Sequence, residues 1–222
     1  MLNKGIWTSA TKRYSHSTQE AGINHTPVLV SVDIPLSADT MFIDIAPTTN
    51  YDTNTSIQIG ETNDPGATAY YRSWIKPDFS SIPAGVTFSS GVLKLTPIVD
   101  ASSNARTMRA HRCLRDVVSN QATWNIWKTA NNWTSGGASS SGNDYEATEM
   151  GNGSIPASPT INTQMTAITF TASELQKLYD GTYTNNGIIL FVDTQVNDLI
   201  IYASLDNATP AYRPVITIGY YT

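Results

Sequence analysis

The sequence predicts an all-β protein: an antiparallel two-sheet β-sandwich, jelly-roll-like, with an N-terminal arm and one long Gly/Ser/Asn-rich loop. Three observations carry this prediction. In the stretch 70–96, Arg72, Trp74 and Lys76 fall on one face of an extended segment, and Ser73, Ile75 and Pro77 fall on the other. Val92 and Lys94 likewise alternate with Leu93 and Leu95, the period-two signature of a half-buried strand. Turn chemistry separates the strand candidates at Ser80–Gly85 and at Asp64-Pro65-Gly66, where Pro fixes φ and Gly tolerates positive φ. Helical spacing is confined to one place. Ser173-x-x-Gln176 reads as a capping box before Leu175, Leu178 and Tyr179, so a short helix is expected over Glu174–Tyr179 with Gly181 ending it.

Along the chain, residues 1–37 read as an arm plus an added strand, and residues 38–222 as the sandwich domain. The arm has few large apolar residues, among them Ile6, Trp7 and Tyr14. From Pro27, Val28, Val30 and Val32 alternate with Leu29, Ser31 and Asp33 up to Pro35. This strand either joins the sandwich or pairs with a neighbouring subunit. Further strands are expected over Ala38–Ile43, Ile57–Gly60, Val92–Ile98 and Thr107–Leu114. In the last of these Cys113 lies opposite Met108, Ala110, Arg112 and Leu114, which suits a buried, inert thiol. The segment Thr134–Gln164, rich in Gly, Ser, Asn and Thr, reads as a long loop. Strands resume over Thr166–Thr171, Gly187–Asp193, Leu199–Ser204 and Pro214–Tyr221.

The run Arg72-x-x-Ile75-x-x-Asp78-Phe79-Ser80-Ser81-Ile82-Pro83-Ala84-Gly85, followed by Gly91-Val92-Leu93-Lys94-Leu95, resembles the core signature of the DNRLRE-type β-sandwich module. That module is also classed as a carbohydrate-binding module and is related to the disaggregatase repeats. Ala38–Ile43, Pro47–Asp52 with Ile57–Gly60, Ala122–Asn125, Asn186–Leu190 and Arg213–Ile218 resemble its other segments in the same order. The resemblance covers about Ala38 to Tyr220 and implies a sandwich with a non-catalytic role. Arg72 and Arg213 match its positions and are expected to donate to backbone carbonyls.

Composition narrows the function classes. Charged residues make up 14% of the chain, against about 25% in ordinary soluble domains. A net charge of −5 gives no drive toward nucleic acid. A single cysteine leaves no intrachain disulfide, no apolar run is long enough to span a bilayer, and residues 1–8 lack the apolar core of a secretory signal. His16, His25 and His111 show no metal-ligand spacing, and no cofactor motif is present. Asp44, Asp52 and Asp64 could supply calcium oxygens, but without an Asp-x-Asp-x-Asp loop they read as solvated or turn-forming aspartates. Glu146, Glu149 and Glu174 are the carboxylates a glycosidase would need, with nothing in the sequence to pair them. No enzyme is therefore expected.

Carbohydrate binding is the chemical alternative, because sugar C–H faces pack on aromatic rings while hydroxyls seek amides and carboxylates. Trp127, Trp133 and Tyr145 with Asn132 and Asp144 offer that mixture. Ile6, Trp7, Tyr14, Val28, Val30 and Val32 are the candidate assembly residues. The expectation is a non-enzymatic structural or binding protein of a bacteriophage virion, a head-decoration or tail-associated protein assembled in the host cytoplasm. Its partners would be copies of itself or other particle proteins. The alternative is a secreted or cell-surface carbohydrate-binding module acting on extracellular polysaccharide.

Overall fold

The computed structural model describes residues 27–64, 67–101, 104–192 and 197–222. Half of the described residues are in strands, and the protein is all-β. The strands are β1 (Leu29–Ile43), β2 (Ser56–Asp64), β3 (Ala67–Pro77), β4 (Thr87–Leu95), β5 (Pro97–Asp100), β6 (Arg106–Cys113), β7 (Ile126–Lys128) and β8 (Asn131–Asn132). They continue with β9 (Tyr145–Ile155), β10 (Met165–Phe170), β11 (Ile188–Val192), β12 (Ile200–Ala203) and β13 (Val215–Tyr221). Among the described residues there is one α-helix, α1 (Ala172–Tyr179), between β10 and β11.

Eight strands close a ring in the order β1-β13-β4-β10-β9-β6-β11-β3 and back to β1, every pair antiparallel. This is a closed β-barrel and corrects the expected sandwich. The reason lies in β1, which the sequence reading divided at Pro35 and at the 37/38 boundary. It is one continuous strand of 15 residues. Its first half pairs with β13 and its second half with β3, so one strand joins what would otherwise be two sheets.

Two local features allow this. Between Leu36 and Ala38 the register with β3 shifts by one residue, a bulge at Ser37. A one-residue insertion exchanges the two faces of a strand. Before the bulge, Val30, Val32, Ile34 and Leu36 point into the barrel core; after it, Phe42 lies in the outer layer. Pro35 is tolerated because its nitrogen points away from β13, where no ladder donor is needed.

The barrel interior is packed with Ile34, Ile75, Leu93, Leu95, Met108, Ile168, Ile188, Leu190, Ile216 and Ile218, as the small circumference of eight strands requires. β2 leaves the barrel wall to pair with β12, which pairs in turn with β5, and Ile57, Ile59, Ile200 and Tyr202 extend the same core. Leu175 and Leu178 of α1 pack against it as well.

A second core covers the outside of the β1–β3–β11–β6 wall. Phe42, Trp74, Ile189, Phe191 and Cys113 face outward there, beneath Val117, Ala122, Trp133 and Ala138 from the excursion 114–144. The alternation at Arg72–Pro77 is thus used on both sides: Ile75 fills the barrel and Trp74 the outer layer.

Two further expectations are corrected. The long loop at Thr134–Gln164 contains β9, whose 11 residues pair with β6 and β10. Its Gly151 and Gly153 weaken the strand signal, yet a side chain at either would strike the backbone of β10. The capping box does not form. Thr171 is the N-cap and makes no side-chain cap bond, while Gln176 accepts from Phe88 N–H and donates to Val86 C=O. The expected turn at Pro65-Gly66 and the end of the Gly187–Asp193 strand at Asp193 lie outside the described residues.

Candidate functional site

The outer edge of β1 is a surface whose chemistry follows from strand parity. Val28 N–H donates to Thr222 C=O (3.4 Å) and Thr222 N–H donates to Val28 C=O (3.1 Å). In an antiparallel ladder such reciprocal pairs alternate with unbonded ones. Val30, Val32 and Ile34 therefore aim their backbone groups at β13, while Leu29, Ser31 and Asp33 aim theirs away from it. At Pro35 the outward C=O accepts from Asp78 N–H (3.0 Å), which marks where the edge ends. Among the described residues no strand pairs with the outward edge of residues 29–34. Val28, Leu29 and Tyr221 are exposed at its start; Leu29 is 58% exposed and opposite Tyr221 in register. Asp33 in the middle is paired, accepting from Thr217 Oγ1 and facing Lys94 Nζ at 3.5 Å.

Of the expected assembly residues, Val28 is exposed on this edge, whereas Val30 and Val32 are half-buried against the barrel core. Ile6, Trp7 and Tyr14 lie outside the described residues.

The candidate glycan residues are placed differently. Trp133 is buried, donates from Nε1 to Thr123 C=O (2.9 Å) and meets Phe42 edge-on at 5.3 Å. Tyr145 is half-buried, with its ring 4.9 Å from His111 and 5.5 Å from Phe191. Asp144 is fully buried, and its Oδ1 accepts from Thr134 N–H (2.9 Å) and Arg115 Nε (3.4 Å). Its Oδ2 accepts from Ser135 N–H (3.0 Å) and Ser140 N–H (3.2 Å).

Trp133 and Asp144 are thus buried under the excursion, and Tyr145 is half-covered by its ring neighbours. Trp127 is half-buried under Lys128 Nζ, and Asn132 is exposed on the β7–β8 ribbon. Trp124 lies flat on Gly136 and Gly137, where a Cβ on either glycine would come within 2.3 Å of its ring. That Gly-Gly pair was the sequence signal for a packed Trp, hidden within a stretch that reads as a flexible loop.

The expected arginine roles hold: Arg72 donates to Ala138 C=O (3.2 Å) and sits over the Phe191 ring, and Arg213 donates to Asn207 C=O (2.9 Å). Each of the three glutamates considered for catalysis is in an ion pair: Glu146 with Arg112, Glu149 with Arg109 and Glu174 with Lys177. Among the described residues no group of three or more His, Cys, Asp or Glu could hold a metal ion. Asp44 accepts from the N–H of Tyr70 on β3 (2.9 Å). Nor is any helix among them long and apolar enough to cross a membrane.

Sequence reasoning missed an open cleft of about 590 Å³ between the Phe79–Thr87 turn and α1, lined by Phe79, Ile82, Val86, Gln176, Tyr179 and Asp180. Its aromatic lining residues Phe79 and Tyr179 meet edge-on at 5.9 Å, and both rings contact buried Phe88. The residues come from segments some 90 positions apart in the chain, so no local pattern reveals them.

Burial pushes the Cys113 thiol up to about 12, with Arg115 C=O accepting its S–H. The thiol is the inert form at neutral pH. Native protein is expected to resist iodoacetamide at pH 8 and to be alkylated fully once unfolded in urea, as read by mass spectrometry.

Compared with known proteins, the chain matches no protein-family model and no curated protein.

Proposed function

We propose that this chain is a non-enzymatic structural protein of a bacteriophage virion, head-decorating or tail-associated, that assembles by strand addition at the outward edge of β1. The observation that supports this reading is the run of outward-facing backbone groups at Leu29, Ser31 and Asp33, flanked by exposed Val28, Leu29 and Tyr221. Unpaired edges are templates for another strand, and natural proteins usually cover or blunt them. Among the described edge residues 29–34 the charged one, Asp33, faces Lys94 Nζ at 3.5 Å.

A second copy of the chain fits the edge without conflict. Antiparallel pairing about a two-fold axis at Ser31 sets Ser31 against Ser31 and Leu29 against Asp33, so the two aspartates do not oppose each other. The low charge content agrees with a particle protein assembled in the host cytoplasm.

The test is Ser31→Pro. It deletes one outward N–H and leaves the β13 ladder intact, since the neighbouring bonds belong to Val30 and Val32. The variant should melt within a few degrees of wild type and sediment as a monomer where wild type self-associates. Equal association of the two would remove the reading.

The cleft beside Phe79 and Tyr179 favours the alternative, an extracellular carbohydrate-binding module, because it combines aromatic faces with Gln176 and Asp180. Retention on a neutral or acidic polysaccharide that is lost in Phe79→Ala, with association unaffected, would support that alternative instead.

A further inference from the structure

The outward edge of β1 and the cleft beside α1 adjoin. Pro35 C=O, on the outward side of β1, accepts from Asp78 N–H (3.0 Å), and the next residue is Phe79 of the cleft. Two-fold pairing about Ser31, the assembly proposed above and the premise here, sets Pro27 of a second copy opposite Pro35. Pro27 has no N–H to donate and the Pro35 C=O is already taken, so the new ladder ends at this pair. The second copy's chain upstream of Pro27 therefore leaves β1 beside Asp78, at the approach to Phe79. Trp7 precedes Pro27 by twenty residues, a reach of up to about 65 Å when extended, so chain length sets no limit.

The cleft suits an apolar occupant. Gln176 accepts from Phe88 N–H (2.7 Å) and donates to Val86 C=O (3.2 Å), so its amide is engaged at both ends. Tyr179 OH donates to Pro83 C=O. The half-buried rings of Phe79 and Tyr179 and the side chain of Val86 line the opening. A sugar would find few unspent polar side chains there, whereas an indole gains edge and face contacts with two aromatic rings. Charge agrees. Asp180 lines the cleft and Asp78 stands before it, while residues 1–19 carry Lys4, Lys12 and Arg13 and no acidic residue.

We propose that the N-terminal segment of one copy crosses to its neighbour and seats Trp7, with Ile6 beside it, in the Phe79–Tyr179 cleft. By symmetry two such contacts flank one central ladder. Main-chain bonds at β1 set the register, and the indole in its cleft supplies the side-chain anchor, the division of labour usual in strand addition.

The test mixes two full-length variants, Thr8→Cys and Ala84→Cys, at an associating concentration under mild oxidation, with linked peptides identified by mass spectrometry. Ala84 is an exposed residue of the cleft lining, and the buried Cys113 thiol does not compete. The expected result is a disulfide between residues 8 and 84 of different chains. It should be lost when Trp7→Ala is added to the first chain or Phe79→Ala to the second. Trp7→Ala alone should weaken self-association by roughly tenfold or more, as loss of a buried aromatic anchor does. Phe79 packs against the core, so Trp7→Ala decides the matter should Phe79→Ala fail to fold. Self-association that Ser31→Pro abolishes, without the mixed disulfide, overturns the exchange and leaves the β1 pairing standing. A disulfide formed in dilute monomer by one chain carrying both cysteines overturns it too, because the segment then fills its own cleft. So does retention on a polysaccharide that is lost in Phe79→Ala and unchanged in Trp7→Ala. Wild type that does not self-associate removes the pairing and the exchange together.

Discussion

Replacing Asp144 with alanine is expected to destabilise the protein by about 3–5 kcal/mol, the range for removing one partner of a buried charged network. The carboxylate is fully buried and holds four donors: the N–H groups of Thr134, Ser135 and Ser140 and the Arg115 guanidinium. Hydrogen bonds to a charged group are worth roughly 1.5–3 kcal/mol each, and the orphaned donors lose that without full access to water. Alanine also frees the loop that presses Ala138 and Trp133 onto the outer core. Against a total stability of about 5–15 kcal/mol, the loss should be obvious in the urea midpoint. If Asp144 instead belonged to a solvent-facing glycan site, the change would stay within about 0.5 kcal/mol. Urea denaturation of the two proteins decides between these outcomes.

Asp39 should make the protein less stable as the pH rises. After the Ser37 bulge it is opposite Ile75 on the inner face of the barrel, 3% exposed, with Oδ2 accepting from Leu205 N–H (2.7 Å). Burial, with Asp206 and Asp52 nearby adding to it, pushes its carboxyl up to about 7, against the Leu205 hydrogen bond that lowers it. The folded protein therefore holds a proton between about pH 4 and pH 7 that the unfolded chain releases. Stability from this group is complete below about pH 4 and is lost as pH rises through 7. Linkage makes the slope about 1.4 kcal/mol per pH unit inside that window, so a few kcal/mol are at stake. Asp39→Asn keeps an acceptor for Leu205 N–H and removes the titration. It should be more stable than wild type at pH 8, with the difference shrinking toward pH 4. The comparison cancels all other titrating groups. A difference that does not vary with pH would mean that Asp39 is ionised in the folded barrel throughout.

How far the sequence could be read depended on whether each signal was local. The alternation at Arg72–Pro77 assigns Ile75 to one face and Trp74 to the other, and both faces prove to be buried, one in each core. Cys113 falls opposite Met108 and Ala110 for the same reason. Closure of the barrel was not legible, because it depends on β1 changing partners at a one-residue bulge. Pro35 reads as a strand end when only local pattern is considered. β9 was hidden by its glycines, which serve close packing against β10 instead of flexibility.

The aromatic platform misled because Trp133 and Asp144 have the residue types of a sugar site and the environment of a core. Only the partners of their Nε1 and carboxylate groups distinguish the two. The cleft at Phe79 is assembled from distant segments, beyond the reach of any periodicity.

The most direct measurement of the assembly claim is residue-resolved amide hydrogen exchange along β1, in dilute protein and in the associated state. In dilute protein the N–H groups of Val30, Val32 and Ile34 should be protected by β13, while those of Leu29, Ser31 and Asp33 exchange rapidly. On association the odd-numbered set should become protected as well, because those are the donors a new strand would take up. Rapid exchange at Leu29, Ser31 and Asp33 in the associated state, with protection arising elsewhere on the surface, would contradict it.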